Sequence, residues 1–187
     1  MAIQINGNGT ITGISSGGLP AGSVTSATLA DGAASGTKLT MPTGSVVQVI
    51  QTYSNSVQLI SGTSEQDFGL TATITPKASG NKILVSMTGC TGSEVTDNFG
   101  RGLFKVSVGG GSYNTIGDHF FIGGRKTATR DTETWTHDYL YTTSSASAHS
   151  FKLYYRVIDG NNMVIGGWGH GGNWKHSTVC TLTEVVA

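Results

Sequence analysis

Beyond Pro42, hydrophobic and polar residues alternate with a period of two along most of the chain. In "GLTATITP", Leu70, Ala72 and Ile74 alternate with Thr71, Thr73 and Thr75, which gives a strand one dry face. "NKILVSM" sets Ile83, Val85 and Met87 on one side, and "GLFKVSV" does the same with Phe104, Val106 and Val108. "SFKLYYRVI" places Phe151, Leu153, Tyr155 and Val157 against Lys152, Tyr154 and Arg156. "SVVQVIQ", "DHFFIGG", "ETWTHDYLYTT" and "TVCTLTEVV" read as further strands. "MVIGG" follows the turn signal "DGNN" (Asp159–Asn162) and is predicted to fold back on "SFKLYYRVI" as a hairpin, because Asp-Gly tolerates the positive φ of tight turns. No stretch has the 3.6-residue period of an amphipathic helix. Short strands joined by Gly-rich turns predict an all-β fold, an antiparallel β-sandwich of jelly-roll type.

Before Pro42 the alternation fails. Residues 1–41 contain one Asp, one Lys and no aromatic side chain. The chain therefore divides into a Gly/Ser/Thr-rich N-terminal arm, 1–41, and a sandwich domain, 42–187. The arm holds an imperfect ten-residue repeat, "GSVTSATLAD" followed by "GAASGTKLTM", with Leu29 aligned on Leu39. Burying one Leu stabilises by roughly 1.5–3 kcal/mol, whereas ordering ten residues costs about 10–20 kcal/mol of backbone entropy. Such a unit cannot order itself alone. It stays flexible as a linker, lies on another surface, or wraps around identical chains. Leu19, Val24, Leu29 and Leu39 are the residues it would bury in doing so.

Composition narrows the partners. Charged residues make up 12% of the 187 positions and the net charge is zero, so the basic excess needed for nucleic acid is lacking. The 28 glycines suit turns between strands and suit helices poorly. "MAIQINGNGTITG" has no basic region followed by an apolar run, and no run approaches the ~20 apolar residues of a membrane span. Synthesis and assembly in a cytoplasm, without membrane insertion, are expected. Cys90 and Cys180 lie in or beside apolar runs, where cysteine behaves as a small buried hydrophobe rather than a ligand or a bridge.

Candidate chemistry is sparse. Of the five histidines only His170 and His176, in "HGGNWKH", are close in sequence, and no cysteine pair of zinc-finger spacing accompanies them. No metal and no cofactor are expected. Carboxylates are mostly solitary, whereas glycoside hydrolysis needs them paired. The dense polar patches "RDTE" (Arg130–Glu133) and "HD" (His137–Asp138) read as a loop and an outward-facing strand. No nucleophile elbow and no glycine-rich phosphate cradle followed by a helix is present. The chain does not read as an enzyme. One segment looks specialised: "GGWGHGGNWKH", Gly166–His176. Trp168, His170, Asn173, Trp174 and His176 form the densest set of aromatic and polar side chains on the chain. Tryptophan faces stack on sugars while their polar tips stay hydrated. The plainer expectation is that the tryptophans pack into the end of the sandwich or into a subunit contact.

"MAIQINGNGTITGIS" (Met1–Ser15) and "GSVTSATLAD" (Gly22–Asp31) resemble the opening of tail-fibre-like virion structural proteins of marine and cyanobacterial bacteriophages. "GLTATITPKASGNKILV" (Gly69–Val85) and "STVCTLTEVVA" (Ser177–Ala187) resemble two elements of the terminal domain in that group. The resemblance touches about two thirds of the chain and leaves Glu94–Thr134 unmatched. It implies a virion protein, assembled in the host cytoplasm as a homotrimer. The arm would attach to other virion proteins, and the sandwich would meet a host surface glycan, as in a tail fibre or spike. Only two ten-residue units precede the domain, which leaves room for a capsid decoration or cement protein with no receptor role.

Overall fold

A computed structural model of the chain describes residues 4–5, 11–12, 41–93, 99–122, 132–158, 162–168 and 174–187. The chain forms two compact units, Met1–Met41 and Pro42–Ala187. In the first, β1 (Gln4–Ile5) pairs antiparallel with β2 (Ile11–Thr12). Leu19, Val24, Leu29 and Leu39 lie outside the described residues.

The second unit is built from β3 (Val46–Ser54), β4 (Gln58–Ile60), β5 (Gln66–Ile74), β6 (Lys82–Ser93), β7 (Gly100–Val108) and β8 (Asn114–Phe121). It continues with β9 (Thr132–Thr142), β10 (His149–Val157), β11 (Met163–Ile165), β12 (Gly167–Trp168), β13 (Trp174–Lys175) and β14 (Thr178–Val185). Two antiparallel sheets face each other. One has the order β5-β10-β7-β8; the other is six-stranded and runs β3-β14-β6, with β9 along the far side of β6. Disregarding the short β4 and β11, the chain passes from the six-stranded sheet (β3) to its partner (β5), back (β6), across again (β7, β8), back (β9), across (β10) and back (β14). Eight strands wound in this order make a jelly roll. Among the described residues there is no helix.

The alternation read from the sequence sets the interior. Leu70, Ala72 and Ile74 of β5, Ile83, Val85 and Met87 of β6, Phe104 and Val106 of β7, and Phe151, Leu153, Tyr155 and Val157 of β10 are all buried in one core. Val108 packs against it from the side. All nine strands expected from the alternation are present. β4, β12 and β13 are too short to carry a period of their own.

One expectation is overturned. β11 does not form a hairpin with β10. It pairs with Thr91–Ser93 of β6 and with β4, in the opposite sheet. Both sides of β10 are already occupied, by β5 and β7. β6 extends to Ser93, past the last residue that pairs with β14, so its end offers an open edge that β11 fills. Asp159 and Gly160 lie outside the described residues, in a connection that joins strands of opposite sheets.

Both cysteines are buried. Burial pushes the Cys180 thiol up to about 12, so almost none of it is thiolate at pH 8. Iodoacetamide at pH 8 should leave Cys180 unmodified in the native protein and label it in urea, as read by peptide mass spectrometry. Labelling of Cys180 without denaturant would contradict its place in the core.

Candidate functional site

The expected contact loop begins at Gly166. This residue has φ +80°, and a Cβ added to it would stand 2.1 Å from the Ser56 carbonyl oxygen, so only glycine fits. Its N–H donates to the Cys90 carbonyl at 2.9 Å, and its own carbonyl accepts from the His176 N–H at 2.9 Å. The first bond ties the start of the β12–β13 pair to β6, and the second closes the two ends of the pair on each other. Trp168 and Trp174 are opposite one another in register. His176 is exposed. His170 and Asn173 lie outside the described residues.

A second surface was not expected from the sequence. On the outer side of the four-stranded sheet, Lys105 of β7 and Lys152 of β10 sit directly opposite each other. Two like charges so placed repel, and each is compensated. Lys105 Nζ lies 2.7 Å from Glu65 Oε2 and 4.1 Å from the centre of the Tyr154 ring. Lys152 Nζ donates to Asp67 Oδ2 at 2.7 Å and lies 4.8 Å from the centre of the Tyr113 ring. The other Asp67 oxygen accepts from the Gly69 N–H at 2.7 Å, which fixes the carboxylate. His119 Nε2 approaches the free side of Glu65 at 3.5 Å. The hydrogen bond from Lys105 holds the Glu65 carboxyl below its ordinary value, and the hydrogen bond to Asp67 raises Lys152. Glu65 is therefore a carboxylate and Lys152 an ammonium throughout the neutral range. Arg101 lies over the ring of Phe121, 5.4 Å from its centre, and Phe121 is 65% exposed. Leu103 shares the Arg101 and Lys105 side of β7 yet is buried, opposite Tyr154 in register.

Ion pairs at half-exposed positions contribute little to stability, typically about 0–1 kcal/mol each. Their consequence here is order: long side chains that would otherwise be mobile are held as a fixed pattern of charge and aromatic rim. Such a surface can stack on and hydrogen-bond to a polar ligand. Its two carboxylates, Glu65 and Asp67, are both engaged by lysines. Among the described residues no cluster of three His, Cys, Asp or Glu is placed to hold a metal.

His137 of the "HD" patch is not outward-facing. Its ring stacks on Phe120, centres 3.8 Å apart and planes 10° apart, and Phe104 lies 5.4 Å away. Burial lowers its pKa, opposed in part by Asp138, so the ring is neutral at pH 7. His137 serves packing between the edges of the two sheets, while Asp138 points to solvent as expected.

No family model and no curated protein matches the chain. Among solved structures it is similar to the VP2 subviral particle of infectious bursal disease virus, with 12% identity and a TM-score of 0.43 over 75% of this chain and 38% of that one. This chain thus spans well under half of the length of VP2. It is similar to the enzymatically active domain of tailspike protein 4 of bacteriophage CBA120, with 10% identity and a TM-score of 0.27 over 63% of this chain and 18% of that one. A third likeness is to the CBM22-1 xylan-binding domain of Xyn10C from Paenibacillus barcinonensis, with 12% identity and a TM-score of 0.30 over 79% and 99%. These are distant likenesses, and the jelly-roll assignment rests on the chain's own strand order.

Proposed function

We propose that the chain is a non-enzymatic structural protein of a bacteriophage particle, a homotrimeric appendage of the tail-fibre or spike type. Residues 1–41 attach it to other virion proteins. The jelly roll meets a host surface glycan through the outer side of β5-β10-β7-β8 and the Trp168–His176 segment. The observation that carries this reading is the ordered charge-and-aromatic pattern around Lys105, Lys152, Tyr154 and Phe121. The core needs none of these side chains, and an exposed Phe121 beside fixed polar groups is what a stacking contact requires.

The test replaces Phe121 or Trp168 by alanine and measures adsorption to host cells together with melting. A stacking aromatic at a binding centre is typically worth about 2 kcal/mol or more, roughly thirtyfold in affinity. At 65% exposure Phe121 contributes little to folding, so F121A should adsorb at least tenfold less while melting within about 2 °C of the parent. Normal adsorption by both variants would remove the receptor role. The alternative is a capsid decoration protein, favoured by a strand order that viral capsid domains share. Copy number in purified particles separates the two: a handful marks a tail part, hundreds a capsid part. Release of reducing ends from host glycan would overturn the non-enzymatic reading.

A further inference from the structure

The two outer faces of the sandwich differ. That of the four-stranded sheet carries Arg101, Lys105, Lys152, Glu65 and Asp67 and has to stay wet. That of the six-stranded sheet is nearly uncharged. Its residues line up in rows across β3, β14, β6 and β9: Val46–Val185–Lys82–Thr142, Val49–Thr183–Leu84–Leu140, Gln51–Thr181–Ser86–Asp138 and Tyr53–Val179–Thr88–Thr136. Lys82 and Asp138 are the charges in these rows, and no described residue forms an ion pair with either. Val49 is 58% exposed and Leu140 54%. Much of the polar content is already satisfied sideways: Gln51 Nε2 donates to Thr181 Oγ1 at 3.1 Å, and the hydroxyls of Thr88 and Thr136 share a hydrogen bond at 3.0 Å. Covering this face would strand few polar groups.

We propose that this face is the contact between copies of the chain, with the Val49–Thr183–Leu84–Leu140 row turned toward the rotation axis. The trimer number rests on the function proposed above; the face does not. Two observations favour a second copy over another partner. First, the two charges are complementary to themselves. Lys82 and Asp138 lie one row to either side of Leu84 and Leu140, on neighbouring strands. A rotation axis running along that row carries the Lys82 side of one face to the Asp138 side of the next, and the offset of one strand, about 4.8 Å, is within reach of a lysine. Second, the face measures about 20 by 25 Å from strand and residue spacings, roughly 500 Å². Two such faces together bury about 1,000 Å², the area at which a specific contact between proteins begins. Association through this face leaves the charged face of the other sheet pointing outward.

Sedimentation of the full-length chain over a dilution series tests it. Val49→Lys with Leu140→Lys should weaken the dissociation constant at least a hundredfold while the circular dichroism melt is retained. Lys82→Asp alone should weaken it about tenfold, and Lys82→Asp with Asp138→Lys should restore it to within threefold. A mass of three chains with this pattern supports both the face and the trimer. A mass of two chains with the same pattern supports the face and overturns the trimer. A trimer indifferent to all four substitutions overturns the face alone. A wild-type monomer at every concentration overturns both.

Discussion

Replacing Glu184 by alanine should lower the melting temperature of the sandwich by roughly 6–20 °C. Glu184 stands at an inward position of β14, fully buried. Its Oε1 accepts from the Lys77 N–H at 2.7 Å and from Asn81 Nδ2 at 2.6 Å, and its Oε2 accepts from Gln48 Nε2. Lys77 and Asn81 belong to the connection that carries the chain from β5 in one sheet to β6 in the other. The Asn81 carbonyl in turn accepts from the Thr143 N–H at 2.9 Å, beside the end of β9. One carboxylate thus ties together the end of the sandwich where both sheets meet. Alanine leaves the Lys77 N–H and the buried Asn81 amide without their acceptor, at about 1–3 kcal/mol each, in a total near 3–5 kcal/mol. For a chain of this length each kcal/mol moves the midpoint by about 2–4 °C. Glutamine keeps Oε1 but turns an N–H toward Gln48 Nε2, so it should cost about half as much. An alanine variant that melts within about 2 °C of the parent would show that the network is dispensable.

Gly166→Ala should cost roughly 2–5 kcal/mol and free the Trp168–Trp174 pair from the sheet. Two penalties combine. An alanine at φ +80° pays about 1–2 kcal/mol for the left-handed backbone. Its Cβ also meets the Ser56 carbonyl at 2.1 Å, and backbone yields less readily than a side chain. Gly62→Ala separates the two effects, because Gly62 has φ +81° and nothing within 4 Å of the added atom. That variant should show the backbone penalty alone. Trypsin supplies the local measurement: cleavage after the exposed Lys175 should accelerate in Gly166→Ala and stay at the parent rate in Gly62→Ala. Equal melting and equal cleavage of the two variants would show that Ser56 does not pin the segment.

The alternation of residues by itself determined which side chains of β5, β6, β7 and β10 face the core. With a period of two, every second residue of a strand must share a face, whatever the neighbouring strand is. It also set Cys180, Leu182 and Glu184 at one parity of β14, but with Val179 and Val185 at the other parity only the closed sandwich showed that the carboxylate faces inward. Partner choice was not legible either. Asp159-Gly160 is turn chemistry in either case, and β11 left β10 because β10 had no free edge while β6 did. Adjacent aromatics gave no local sign of which one is inside, and the structure buries Phe120 against His137 while leaving Phe121 exposed. The same holds for the charged surface. Lys105 and Lys152 are 47 residues apart in the chain, and each was legible only as an outward position. Their juxtaposition with Glu65, Asp67, Tyr113 and Tyr154 comes from strand order and register, which are set by the whole core closing at once. A local pattern fixes the direction of a side chain; only the closed sandwich fixes its neighbours.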